Sequence, residues 1–307
     1  LIALMGGYQM VTFYRRLPKF DYIKPDSMEE VLHLLADNDN GKYKIYAGGT
    51  DVIPKLKGRE SAKPQILVDL KGIPNLDYID YDEAKGLRIG ALATIRSVAT
   101  SSIVSEKFPV LSQAAGRIAS TQVQNRGTIA GNICSAVPSA DSAPALLCLG
   151  ARLICVEQDG ERDIGIDTFF KGPNETVLNT GELLKEIQIP PMPKNSQGVY
   201  IKLSPRSRMD LAVVGAATVL RAEDGFIRHI KIGLGAVSPT PMRAREAERM
   251  LLDKKADNEL IAQTARRARE ESKPISDHRA SAEYRKMMVE VLVKRAVHQA
   301  LSDVPSK

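Results

Sequence analysis

Two glycine-opened turns constrain this chain more than any other feature of its sequence. The first, Lys44-Ile45-Tyr46-Ala47-Gly48-Gly49-Thr50-Asp51-Val52, passes from a strand-like stretch into two adjacent glycines, a hydroxyl, a carboxylate and a helix start. Glycine tolerates positive φ and lets backbone approach a ligand closely. A turn that feeds a helix aims several N–H groups at one spot, which suits phosphate or pyrophosphate. The same residues also suit an ordinary tight turn, and the segment alone leaves both readings open. The second turn, Gly127-Thr128-Ile129-Ala130-Gly131-Asn132, lies well downstream and offers glycine backbone, the Thr128 hydroxyl and the Asn132 amide. Two such loops can grip one long anionic ligand from both sides. Beyond them, Asp141 either accepts hydrogen bonds from ribose hydroxyls or caps a helix beginning near Ala143. Better-known nucleotide signatures are excluded. There is no GxxxxGK[ST] run, and Gly233-Leu234-Gly235 meets Ser238, Pro239 and Pro241 where a third glycine and a helix should follow.

The rest of the chain reads as alternating short helices and strands. Its 307 residues exceed the usual ~100–200 of one domain. Residues 1–16 are set aside as an N-terminal extension, with Met5 and Met10 as possible starts. Ser27-Met28-Glu29-Glu30 has capping-box spacing before Val31, Leu32, Leu34 and Leu35, and Asn38-Asp39-Asn40-Gly41 stops that helix. Strands are expected at 43–46 and 66–70, with a short helix between them ending at Leu56. A hairpin is expected over 76–91 and helices over 94–105 and 110–119, with Pro109 between. Residues 120–142 are neither clean helix nor clean strand and read as a functional loop. A helix at 143–149 and a hairpin at 152–166 follow. Pro190-Pro191-Met192-Pro193-Lys194-Asn195 breaks both helix and strand and reads as a linker. After it come three antiparallel strands (199–203, 212–222 and 226–236) and three amphipathic helices (243–254, 258–272 and 281–301).

Composition narrows the function classes. No apolar run reaches the ~18 residues of a membrane span. The net charge of +6 is dispersed, and the basic stretch 243–295 is interleaved with acids, unlike a nucleic-acid stripe. Cys134, Cys148 and Cys155 form no CxxC pair, so neither a zinc ribbon nor an iron–sulfur ligand run is present. Three cysteines in a chain this long suggest reduced thiols in a cytoplasm. The four histidines are scattered, and no metal site is legible.

Together the two loops resemble the paired FAD motifs, AGGTDL-like and TIGGN-like, of the flavoprotein subunit of molybdenum hydroxylases, the xanthine dehydrogenase and carbon monoxide dehydrogenase family. Both motifs appear in order, and the likeness covers residues 17–302. It implies an α+β chain with an FAD-binding domain at 17–193, of the vanillyl-alcohol oxidase/para-cresol methylhydroxylase type. That domain would comprise two α/β subdomains, about 17–70 and 71–193. A C-terminal α+β domain at 199–302 would carry a three-stranded antiparallel sheet and three helices. It further implies that residues 44–52 line the pyrophosphate and adjoining FAD, that Ile118 and Val123 sit near the flavin or its chain, and that residues 127–132 form the second loop. Asp141 would contact the ADP ribose, and Leu184 and Lys202 would match FAD-lining positions, Lys202 near the flavin ring. There it would stabilise charge at N1 and the C2 carbonyl of reduced flavin; without the resemblance Lys202 reads as a solvated strand lysine. Ala130 replaces the usual glycine of TIGGN, which its methyl group permits only at negative φ. The cysteine-rich insert of the 4-hydroxybenzoyl-CoA reductase type is missing.

The chain is therefore expected to be an oxidoreductase flavoprotein subunit with no proton-transfer catalyst and no metal of its own. It would receive electrons from the 2Fe–2S clusters of a small partner subunit, fed by a molybdenum-cofactor large subunit, and pass them to an acceptor such as NAD. The alternatives are a stand-alone flavin oxidase or reductase on the same fold, for which Tyr46 is the only nearby acid–base group, and a binding module using both loops for another phosphate ligand.

Overall fold

In the computed structural model, residues 16–36, 41–58, 63–206 and 209–303 are described. The first unit is a three-stranded parallel sheet in the order β1 (Asp21–Ile23), β3 (Ile66–Asp69), β2 (Tyr43–Tyr46). Helix α1 (Met28–Ala36) begins where the Ser27 hydroxyl accepts from the Glu30 amide, and Val31 and Leu35 bury its apolar face against Val68 and Leu70. The stop expected at residues 38–40 lies outside the described residues. Helix α2 (Val52–Gly58) follows the first glycine turn.

The second unit is a five-stranded antiparallel sheet. Its order is β4 (Ile79–Asp82), β5 (Gly86–Gly90), β10 (Leu183–Ile189), β6 (Arg152–Glu157), β7 (Gly160–Gly165). Both expected hairpins are present, and the central strand β10 adds to them a strand that the sequence pattern hides. Its bulge between Leu184 and Glu186 breaks the period-2 pattern that would have announced it. A helical layer packs beside this sheet, and its boundaries correct the reading from sequence. Residues 94–105 form two helices, α3 (Ile95–Thr100) and α4 (Ser102–Lys107), because the Ser101 hydroxyl caps a new start by accepting from the Val104 amide. Pro109 opens α5 (Pro109–Gly116), where its missing N–H costs nothing. The supposed loop 120–142 contains α6 (Thr121–Gln124) and α7 (Ile129–Cys134), capped by the hydroxyls of Ser120 and Thr128. Helix α8 (Ser142–Leu149) is wholly buried. A two-stranded ribbon, β8 (Phe170–Gly172) with β9 (Glu175–Thr176), leads back towards β10.

The C-terminal sheet has four strands rather than the expected three: β11 (Ser196–Leu203), β12 (Val214–Glu223), β13 (Phe226–Gly235) and β14 (Met242–Arg243). The fourth pairs only Met242 with Leu234 and Arg243 with Gly233, too short to show alternation in sequence. The sheet is buried on both faces. Ala217 and Val219 join the core beneath α5 and α8, while Val214, Ala216 and Leu220 face α9 (Arg245–Leu251), α10 (Asn258–Glu271) and α11 (Ala282–Ser302). This sandwich carries β11, and with it Lys202, up to the helical layer.

A buried carboxylate ties the five-stranded sheet together. Glu186 on β10 has a side chain 3% exposed and accepts from Arg88 on β5 at 2.9 Å, from Gln188 at 2.5 Å and from the Tyr78 hydroxyl. Burial alone would raise its carboxyl, but these donors outweigh burial and hold it below its ordinary value of 4.5. A group depressed on folding contributes stability above its unfolded pKa and loses it as pH falls through the folded one. Glu186→Gln is therefore expected to cost roughly 1–3 kcal/mol in denaturant unfolding at neutral pH. That difference should shrink as the medium is acidified below the ordinary carboxylate range; a gap independent of pH would contradict the assignment.

Candidate functional site

The first glycine turn is shaped by what lies on either side of it. At Gly48 an added Cβ would stand 2.0 Å from the Arg126 carbonyl oxygen, so the two glycine-bearing loops meet backbone to backbone. Gly49 has φ +73°, and a Cβ there would stand 2.3 Å from the Tyr46 ring. The first turn of α2 closes on this loop, with the Ile53 amide donating to the Gly49 carbonyl at 3.0 Å and the Lys55 amide to the Asp51 carbonyl at 3.1 Å. Among the described residues, the backbone amides of Gly48, Gly49, Thr50 and Asp51 meet no protein acceptor.

The second loop is pinned from behind. Thr94 and Thr128 form an isolated β-bridge, the Ile95 amide donates to the Gly127 carbonyl at 2.8 Å, and the Ile129 amide donates to the Ala93 carbonyl at 3.3 Å. Thr128 caps α7 by accepting from the Gly131 amide at 3.0 Å. Ala130 sits inside α7, outside the left-handed region, so its methyl group is accommodated where glycine is usual. The Asn132 side-chain oxygen accepts from the Ser142 hydroxyl at 2.6 Å. Ser135, one turn on, donates to the Asp51 carboxylate at 2.5 Å and ties the loops together again.

Between the loops runs a cleft of about 990 Å³. Lys44, Ile45, Ala47, Gly48, Gly49, Thr50, Asp51 and Val52 line one wall. Thr128, Ala130, Gly131, Asn132, Ile118, Val123 and Asp141 line the other, and Leu184 and Lys202 reach it from β10 and β11. Two residues expected at the site do not line it. Tyr46 places its ring beneath Gly49, and Gly127 packs its backbone against Ile95 and the Thr50 hydroxyl.

Asp141 and Lys202 form one unit. The ammonium donates to the carboxylate at 2.8 Å and to the Arg117 carbonyl at 2.9 Å, and the Tyr200 hydroxyl donates to the other carboxylate oxygen at 2.6 Å. With its side chain 2% exposed, Lys202 is no solvated strand lysine. Desolvation pushes the Asp141 carboxyl up while the Lys202 charge opposes it, and burial pushes the Tyr200 hydroxyl well above its ordinary value. Asp141 stands at the N-cap position of α8, yet its side chain makes no capping bond. The two side chains assigned from sequence to the ribose and to the flavin ring therefore face one place, where the ammonium charge is offset by the carboxylate.

Several contributors were not legible in sequence. Ala119 lines the cleft at φ +44°, a conformation that alanine does not advertise. Buried Gln124 holds that bend by donating to the Ile118 carbonyl at 2.7 Å. Residues 178–183 and Met209–Leu211 complete the walls, where Glu182 is clasped by Arg162 at 2.5 and 2.6 Å. Desolvation pushes the Cys134 thiol up to about 12, leaving it a neutral wall group.

Comparison with known proteins decides the family. Residues 18–192 match the family described as FAD binding domain in molybdopterin dehydrogenase, and residues 199–300 match the CO dehydrogenase flavoprotein C-terminal domain. The chain belongs to the FAD-binding medium subunits of the molybdenum hydroxylase family. This medium subunit is 34% identical to the glyceraldehyde dehydrogenase medium chain of Sulfolobus acidocaldarius, over 91% of this chain and 97% of that one. It is 30% identical to the xanthine dehydrogenase FAD-binding subunit of Escherichia coli, over 93% and 97%. Its fold superposes with a TM-score of 0.91 on carbon monoxide dehydrogenase from Hydrogenophaga pseudoflava, at 34% identity, covering 94% of this chain and all of that one. The family makes it an oxidoreductase subunit whose cofactor is FAD.

The flavin subunit's own geometry fits that cofactor. A row of amides without protein acceptors, beside a glycine that tolerates no methyl group, has the donor chemistry that suits a diphosphate. Gly48→Ala must part the loops by forcing the Arg126 carbonyl aside. The variant is expected to retain little flavin through gel filtration and to lose about 1–3 kcal/mol of stability. Wild-type flavin absorbance per protein would show that the loops tolerate separation.

Proposed function

We propose that this chain is the electron-transfer subunit of a multi-subunit molybdenum hydroxylase. It takes electrons from the 2Fe–2S clusters of a small partner subunit, which a molybdenum-cofactor large subunit supplies, and delivers them to an external acceptor such as NAD. The observation that carries this reading is the cleft between two interlocked glycine loops with unfilled amide donors. The relatives support the partners: they are medium chains and FAD-binding subunits of dehydrogenases, and the solved homologues include a Cu,Mo-CO dehydrogenase. A cytoplasmic location belongs to the same reading and is supported by Cys134, Cys148 and Cys155, all free thiols. Among the described residues no helix is long and apolar enough to cross a membrane.

In this reading the chain binds, orients and shields. The amides of residues 48–51 and the loop of residues 128–132 hold the diphosphate, with Asn132 fixed by Ser142. Ile118, Val123 and Leu184 exclude water along the dinucleotide. Asp141 and Lys202 contact one end of it together and present hydrogen-bonding groups with little net charge. FAD, when bound, supplies the ability to accept electrons singly and release them in pairs.

Asn132→Ala is expected to reduce the flavin-to-protein ratio several-fold without unfolding the chain. Unchanged flavin content would count against the site. The FAD-loaded chain alone should show no turnover with small alcohols or amines, whereas flavin bleaching by the partner subunits' substrate should appear on reconstitution. Single-chain turnover would favour the stand-alone oxidase instead.

A further inference from the structure

A polar cluster outside the cleft lies behind the first glycine turn, at the ends of β2 and β3. Lys71 follows β3 in a single 3₁₀ turn, Leu70–Gly72, which Asp69 caps by accepting from the Lys71 amide at 3.0 Å. The Lys71 ammonium donates to the Asp69 carboxylate at 2.7 Å and to the Ala47 carbonyl at 2.8 Å, and lies 4.0 Å over the centre of the Tyr46 ring. Asp69 is itself buried, with a side chain 2% exposed, and also accepts from the Tyr22 hydroxyl. Lys71 does not line the cleft. Besides Asp69, its contacts go to Tyr46 and Ala47, through which the chain enters the loop.

We infer that Lys71, aimed by Asp69, is a positioning residue that sets the diphosphate-binding conformation of the Ala47-Gly48-Gly49-Thr50-Asp51 loop. The route is short. The cation on one face of Tyr46 fixes the ring that lies under Gly49, and a Cβ at Gly49 would stand 2.3 Å from that ring. The bond to the Ala47 carbonyl fixes the orientation of the peptide that leads into Gly48. Together they hold Gly49 at φ +73° before any ligand arrives, so the amides of Gly48 to Asp51 need no reorganisation on binding. The 3₁₀ turn is capped through the Lys71 amide, not its side chain, and the ammonium's contacts beyond Asp69 go to Tyr46 and Ala47 at the entry to the loop.

The inference rests on the proposed placement of FAD in the cleft, and its test keeps the two apart. The full-length chain is stripped of flavin and titrated with FAD by fluorescence quenching, with ADP as a second probe carrying the same diphosphate. Lys71→Met is expected to weaken FAD and ADP alike by about tenfold. Because it leaves the buried Asp69 carboxylate without its cation, the melting temperature of the flavin-free protein should fall, and the Lys71→Met/Asp69→Asn double variant should recover most of that fall while binding stays weak. Lys71→Arg should restore most of the affinity, since guanidinium can engage both Asp69 and the Ala47 carbonyl. Asp69→Asn, which keeps the lysine's charge but removes the carboxylate that aims it, should weaken binding similarly, and the double variant should add little further. Should Lys71→Met fail to fold, Asp69→Asn and Lys71→Arg carry the same comparison. Wild-type affinity in Lys71→Met or Asp69→Asn, with Asn132→Ala weakened, overturns the positioning role alone. Wild-type affinity in Asn132→Ala as well overturns the cleft assignment beneath it.

Discussion

The site depends on one backbone contact, the place where Gly48 lies against the Arg126 carbonyl with no room for a single methyl group. Everything that makes the cleft follows from two loops being allowed to approach this closely. Gly127 lies against the Thr50 hydroxyl in the same contact, and Ser135 bonds Asp51 across the same seam. The loops belong to different units of the fold, the parallel sheet and the helical layer beside the antiparallel one. Their contact both joins the units and shapes the groove between them. Side chains would have filled that groove; glycine leaves backbone donors exposed at its edge.

The two loops are supported by different means. The second is locked by secondary structure, through the Thr94 bridge and the caps of α3 and α7. The first leaves a strand edge and needs a cation behind it, supplied by Lys71 with its buried partner Asp69. Far along the chain, β11 brings Lys202 against Asp141 and closes the groove from a third side. A buried ion pair of this kind costs desolvation on both partners and is retained where its geometry is satisfied, as the Tyr200 and Arg117 contacts provide here.

What was legible in sequence was local. Adjacent glycines flanked by a strand and a helix, the capping serine of α1 and the proline-rich break before β11 each act through nearest neighbours, and each appears where expected, whereas the TIAGN segment, read as loop, starts helix α7. The family and its cofactor followed from the two loops together. What escaped was set by tertiary contact. Strand β10 is central, but its pattern is broken at the Leu184–Glu186 bulge. Lys71 and Tyr200 act through partners distant in sequence, which no spacing announces. Tyr46 and Gly127 carry the motif's residue types yet support the cleft from beneath instead of lining it.

The most direct measurement is an experimental structure of the flavin-loaded chain. The diphosphate of FAD should lie between residues 48–51 and 128–132, within hydrogen-bonding distance of the Gly48 to Asp51 amides. Dinucleotide density elsewhere, or those amides bonded to protein with the loops drawn apart, would contradict the shared cradle.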